Sequence, residues 1–99
     1  MGLKSTTVCL GYRQLTSLSS ATGLTDIPQG ATLALIVPET QNVRWRDDGT
    51  DPTASVGMPI FVGASLSYDG DFNKIKFIQE AASAKINVSF YASRSGCGP

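Results

Sequence analysis

The chain has 99 residues, 8 Lys+Arg against 8 Asp+Glu, and no histidine. A length of roughly 100 residues means one domain and one core, burying about two-thirds of the surface that the unfolded chain exposes. A formal net charge of zero argues against a nucleic-acid or anionic-membrane binder, and the missing imidazole removes the commonest general base and metal ligand, so composition argues against an enzyme.

Ser and Thr number 20, Gly 10 and Pro 5, against 2 Glu and 4 Lys. Turn and strand formers outweigh surface-helix formers, and the chain reads as all-β. Residues 1–6 are polar and read as a flexible N-terminal arm. The domain proper is expected over residues 7–91, with 92–99 as a flexible tail that Gly96, Gly98 and Pro99 leave without a fold of its own. From Thr7 to Leu18 an uneven alternation gives one strand and then an irregular segment. Residues 16–25 hold six Ser/Thr and Gly23, and read as loop. Pro28 and Gly30 make a turn. Residues 31–37 form a strand with Leu33, Leu35 and Val37 on one face, stopped by Pro38, and Glu39-Thr40 turns the chain. In the next strand, residues 42–46, a period of two puts Val43 and Trp45 on one face and Arg44 and Arg46 on the other.

Asp47-Asp48-Gly49-Thr50-Asp51-Pro52 is the strongest turn in the chain. Short strands follow at residues 60–62, 64–68, 74–78 and 85–91, with turns at 69–71 and 81–84. Ile75, Ile78, Ala82 and Ile86 also have helical spacing, but the alternation of Ile75 and Phe77 beside turn residues favours strand. About seven to eight short strands with frequent turns indicate an antiparallel β-sandwich or a jelly-roll-like small barrel.

Candidate chemistry is thin. Asp69, Asp71, Asn73 and Glu80 fall at positions of a calcium loop, but Lys74 stands where that loop needs Gly, so a hairpin turn with solvated carboxylates is expected. Asp47, Asp48 and Asp51 have Arg44 and Arg46 as ion-pair partners close by. No serine or cysteine has a histidine to activate it, so no catalytic residue, cofactor or metal is assigned. Trp45 between two arginines, with Tyr12, Tyr68 and Tyr91 elsewhere, offers a stacking platform for sugar or for a single strand, unless Trp45 faces the core. The basic residues are too few and too dispersed for a groove that tracks phosphates. Cys9 and Cys97 lie far apart in the sequence and read as two free thiols rather than a disulfide framework. No apolar run approaches the ~18 residues of a membrane span, and the start lacks the apolar core of a signal peptide.

The run from Val43 to Ala54, VRWRDDGTDPTA, then Gly57-Met58-Pro59, resembles small β-sandwich structural proteins of tailed bacteriophages, the head decoration or cement type. Residues 24–31 and 84–91 support the resemblance, which covers about half of the chain. It implies a virion protein, assembled in the bacterial host cytoplasm, that stabilises the capsid by bridging major capsid subunits as a trimer or small ring. A head-to-tail connector or tail component is the rival within that class, and a carbohydrate-binding module on a phage fibre the rival outside it. The expected assembly contacts are Met1, Gly2, Leu3 and Lys4 of the arm, Arg44, Arg46 and Tyr68 of the domain, and Arg94 of the tail. No nucleic acid or membrane is expected as a partner.

Overall fold

The computed structural model describes residues 5–95, with side chains over 7–92, as eight strands and no helix. The strands are β1 (Ser5–Leu15), β2 (Thr22–Gly23), β3 (Leu33–Glu39), β4 (Val43–Arg46), β5 (Met58–Ile60), β6 (Leu66–Tyr68), β7 (Lys76–Gln79) and β8 (Lys85–Ser95). They form two four-stranded antiparallel sheets, ordered β1-β8-β3-β6 (sheet A) and β2-β7-β4-β5 (sheet B). Strands pair from the outside inwards, first with last: β1 with β8, β2 with β7, β3 with β6 and β4 with β5. A long antiparallel hairpin folded over on itself in this nested order is a jelly roll. The all-β sandwich read from the sequence is therefore the fold, and the jelly-roll form is the one adopted.

One cluster fills the space between the sheets. Ala34, Ile36, Ile86, Val88 and Phe90 point into it from sheet A and Val43 and Phe77 from sheet B, each fully buried. Leu18, Leu24, Phe72 and Ile75 close it from the connections. The alternation over residues 75–90 is that of strand, turn and strand, and the helical spacing of the same isoleucines is not used.

Three local readings change. First, the core face of β3 is Ala34, Ile36 and Pro38, while Leu33, Leu35 and Val37 are half-buried on the opposite side. Pro38 does not stop the strand, because its carbonyl points away from β8 to accept from Gly63 N–H at 3.3 Å. Its nitrogen points the same way, beyond the last β3–β6 pair, Ile36 with Leu66, so no ladder bond is lost. Second, the loop read over residues 16–25 contains the two-residue β2, paired with β7 through Thr22 and Gly23. Third, β1 starts at Ser5 and β8 ends at Ser95. Residues 5–6 and 92–95, assigned by the sequence to arm and tail, are thus paired backbone, and only residues 1–4 and 96–99 lie outside the description.

Beyond Tyr91, β8 has lost its pairing with β3 and continues with β1 alone, from Val8↔Ala92 to Ser5↔Ser95. This two-stranded ribbon extends the molecule to 49 × 26 × 20 Å, with a radius of gyration of 14.6 Å against roughly 13 Å for a compact chain of this length. A β-bulge between Cys9 and Gly11 makes Leu10 the extra residue and bends β1.

Phe77 is wholly buried at the centre of sheet B. Phe77→Ala should lower the unfolding free energy by about 3–5 kcal/mol, measured as a reduced urea midpoint with an unchanged slope.

Candidate functional site

Some of the residues singled out in the sequence, Trp45, Arg46, Asp47 and Asp48, lie on one flank of the sandwich, where β4 meets the edge strand β5, whereas Cys9, Tyr12 and Tyr91 lie on sheet A. Register places Trp45 opposite Met58, Arg44 opposite Pro59 and Val43 opposite Ile60. Val43 and Ile60 are buried, whereas Met58 is 57% exposed. The core therefore gives out between Val43–Ile60 and Trp45–Met58, and a groove of about 540 Å³ opens at the latter pair, lined by Trp45, Arg46, Asp47, Asp48, Val56, Gly57 and Met58.

Trp45 is half-buried and packs on the core side, as the period-two reading of β4 requires. It begins a row of rings: Trp45 stands edge-on to Tyr68 at 5.8 Å, Tyr68 is tilted against Phe72 at 5.9 Å, and Phe72 is edge-on to Phe90 at 5.7 Å. Centroid spacings of this kind suit the ring quadrupoles. The row links sheet B to sheet A across the end of the core. The stacking platform expected from Trp45 and the tyrosines is thus not assembled, because Tyr68 is itself buried.

Tyr68, expected as an assembly contact, is 6% exposed and cannot serve as one. Its hydroxyl donates to Asp47 Oδ2 at 2.7 Å and to the Asp71 carbonyl at 3.3 Å. Burial, then the bond to the Asp47 carboxylate, pushes its phenol well above the ordinary value. Gly70 follows the ring so closely that an added Cβ would lie 2.6 Å from Tyr68 Cζ.

Three further acid–base pairs form, though not all as expected. Arg46 binds Asp48 through both Nε and Nη2, which raises the guanidinium and lowers the carboxyl from their ordinary values, chiefly through that hydrogen bond. Arg44 turns instead to Glu80, with Nε 2.8 Å from Oε2 but its N–H not aimed at the oxygen. Its Nη1 donates to the Gly57 carbonyl at 2.9 Å. Asp51 pairs with Lys76 at 3.1 Å. Glu80, which the calcium spacing requires near Asp69, is thus engaged on sheet B, and Asp71 caps its own turn by accepting from Asn73 N–H at 2.9 Å. Among the described residues no group of three or more His, Cys, Asp or Glu could hold a metal. Cys9 is a free, exposed thiol on β1. Cys97, Met1, Gly2, Leu3 and Lys4 lie outside the described residues, as does the side chain of Arg94.

The sequence reading missed the apolar character of this flank. Val56 (53%), Met58 (57%), Phe61 (60%) and Val62 (49%) are among the most exposed large hydrophobic side chains described. Phe61 and Val62 were expected within a strand; the strand is Met58–Ile60 instead. Pro59 within a short segment bounded by Gly57 and Gly63 is the signal for such an edge.

No protein-family model, curated protein or solved structure matches this chain.

Two predictions follow from the geometry of the groove. Tyr68 keeps its proton in the fold above the pH at which the unfolded chain releases it, with an ordinary value of 10.0. Its contribution is complete below pH 10 and is lost as pH rises from there towards the raised folded value. Thermal melts from pH 8 to pH 11.5 (about the accessible range) should therefore show an alkaline loss of stability that Tyr68→Phe makes shallower. Gly57 has φ of +146°, and a Cβ there would lie 3.2 Å from Arg44 Cβ, Pro52 Cβ and the Trp45 carbonyl. Gly57→Ala should cost about 1–3 kcal/mol, measured by denaturant titration.

Proposed function

We propose that this chain is a structural protein of a virus particle, of the decoration or cement type, acting through its surfaces rather than through a reaction. The observation that carries the reading is the apolar flank at β5. Val56, Met58, Phe61 and Val62 lie within seven residues of chain and all stand about half-exposed. Val56 and Met58 line the groove, and Phe61 and Val62 follow at the other end of β5. Exposed Val, Met and Phe along an edge strand form surface of the kind found in a contact core between proteins. The polar groups around the groove already serve one another: Arg46 with Asp48, Asp47 with Tyr68, Arg44 with Glu80. What the flank leaves for a partner is apolar surface, which suits a protein neighbour better than a sugar with its many hydroxyls.

Two further features support the same reading. The jelly roll recurs in viral capsid proteins, although lectins and cupins share it, so fold alone gives an analogy. The run from Val43 to Ala54, which resembles small phage virion proteins, builds β4 and the loop over the groove. In this reading the flank lies on a major capsid subunit, with an apolar side chain of that neighbour seated between Trp45 and Met58. The β1/β8 ribbon, unsupported by a third strand beyond Tyr91, is a second element that a neighbour would steady, since isolated two-stranded ribbons are marginal in water.

Quantitative mass spectrometry of purified particles tests the reading. Copies on the scale of the capsid lattice are expected, whereas a single ring of copies would make the chain a connector. Met58→Asp combined with Phe61→Asp should leave the far-ultraviolet spectrum intact and reduce binding to particles lacking the chain by at least a hundredfold, the loss expected for two buried apolar anchors at about 1.5–3 kcal/mol each. Unchanged occupancy with that double variant sinks the assignment of this flank.

A further inference from the structure

The two sheets have different outer faces. On sheet B the outward positions include Ile78 and Pro59 beside Arg44, but Arg44, Arg46 and Lys76 are each in an ion pair, with Glu80, Asp48 and Asp51, as suits a face turned to water. On sheet A the outward positions of the inner strands are Leu33, Leu35 and Val37 of β3, beside Asn87, Ser89 and Tyr91 of β8. Since Ala34, Ile36 and Pro38 are buried on the inner side, β3 is apolar on both faces over residues 33–38. An antiparallel strand with one face in water alternates apolar and polar, and a strand apolar on both faces is covered on both. Where β3 and β8 are paired, charge is confined to one end, where Glu39 and Lys85 are opposite each other in register.

We propose that a second copy of this chain covers this face, sheet A against sheet A, about a two-fold axis running along the strands midway between β3 and β8. The register decides the occupant. In the order β1-β8-β3-β6 that axis passes through the centre of the sheet and lays β3 of one copy over β8 of the other. Residues paired within one sheet then meet across the interface: Glu39 over Lys85 of the partner subunit, Leu35 over Ser89 and Leu33 over Tyr91. The face is its own complement in charge, with Glu39 and Lys85 meeting at one end. Val37 meets Asn87, whose amide is already bonded to Tyr12, Gln14 and Glu39, and apolar or hydroxyl-bearing side chains follow beyond it. Such self-complementarity is what a two-fold contact requires. Three strands ~4.8 Å apart with about seven residues each at ~3.4 Å, and the three residues of β6, give a footprint on the order of 400 Å² before side-chain relief. Side-chain relief adds to this towards the roughly 600–1,000 Å² per partner of a specific interface. The pair takes the place of the trimer or small ring expected from the sequence. It does not depend on the virion reading, since the flank at β5 belongs to the other sheet.

Sedimentation equilibrium of the full chain over a concentration series tests the proposal. A species of twice the 10.4 kDa chain mass is expected. Leu35→Lys should raise the dimer dissociation constant about a hundredfold, with the far-ultraviolet spectrum and the emission of Trp45, on the opposite sheet, unchanged. Glu39→Lys should weaken the pair as well, and adding Lys85→Glu should restore it. A wild-type chain that stays monomeric into the millimolar range, a trimer or larger ring, or a dimer that survives Leu35→Lys overturns the proposal. If Leu35→Lys unfolds the chain, Leu33→Lys replaces it and is read in the same way. No arm of this experiment involves particles, so its failure and that of the virion reading are separate results.

Discussion

The fold depends on the ladder that β8 makes on both sides. β8 pairs with β1 along its full length and with β3 over residues 85–91, and it turns Ile86, Val88 and Phe90 into the core. Because β1 opens the described chain and β8 closes it, this ladder forms only when the two ends of the domain meet. The remaining pairs nest inside it down to β4 with β5. Almost none of the pairing is local, so the entropy of closing the long loop must be offset by burial gained late. The row across the centre of sheet A shows how that burial is fitted. It reads Gly11, Phe90, Ala34, Tyr68 across four strands, alternating small and large so that the two rings have room beside their neighbours.

That row also sets the geometry of the flank. Phe90 meets Phe72, Phe72 meets Tyr68, and Tyr68 meets Trp45, so the core ends in a line of aromatic rings rather than in aliphatic packing. Tyr68 carries the one hydroxyl in that line and sends it to Asp47, immediately after β4. The hydrogen bond ties sheet A to the loop that roofs the groove, and holds Trp45 at a fixed depth beside Met58. A surface made this way is rigid on its core side and apolar on its open side. Those are the properties of a docking flank that costs little ordering entropy on contact.

How far the sequence reveals this varies with the physics of each segment. The strand character of β4, β7 and β8 is legible because Val43/Trp45, Ile75/Phe77 and Ile86/Val88/Phe90 alternate cleanly. The phase of β3 is not, because residues 33–37 are apolar at every position and a period of two cannot say which half faces inward. What decides it is the register with β8, a contact some fifty residues away in the sequence. The same ambiguity hides the outer face of sheet A, which a single-sided amphipathic reading counts as core. For the flank, Trp45, Arg44 and Arg46 are legible as a cluster by spacing alone. Their partners are not: Glu80 reaches Arg44 only through the β4–β7 pairing, and Tyr68 reaches Asp47 only across the sandwich. Phe61 and Val62 read as strand because hydropathy does not register that β5 is a three-residue edge ending at Ile60.

The formal neutrality of the chain acquires a more specific meaning from this arrangement. Equal counts of acid and base can coexist with patches of either sign, and such patches steer partners over distances near the Debye length. Here part of the charge cancels locally. Arg46 meets Asp48 and Lys76 meets Asp51 within bonding distance, Arg44 meets Glu80, and Glu39 faces Lys85 in register. Local pairing of this kind softens the repulsion between copies of the chain, as the proposed assembly would require. It also weakens long-range attraction, so in that proposal specificity would come from contact: the apolar surface beside Trp45 on one sheet and the two-sided apolar strand on the other. Both demands fall on β-strand register, which is the quantity that the β8 ladder fixes first.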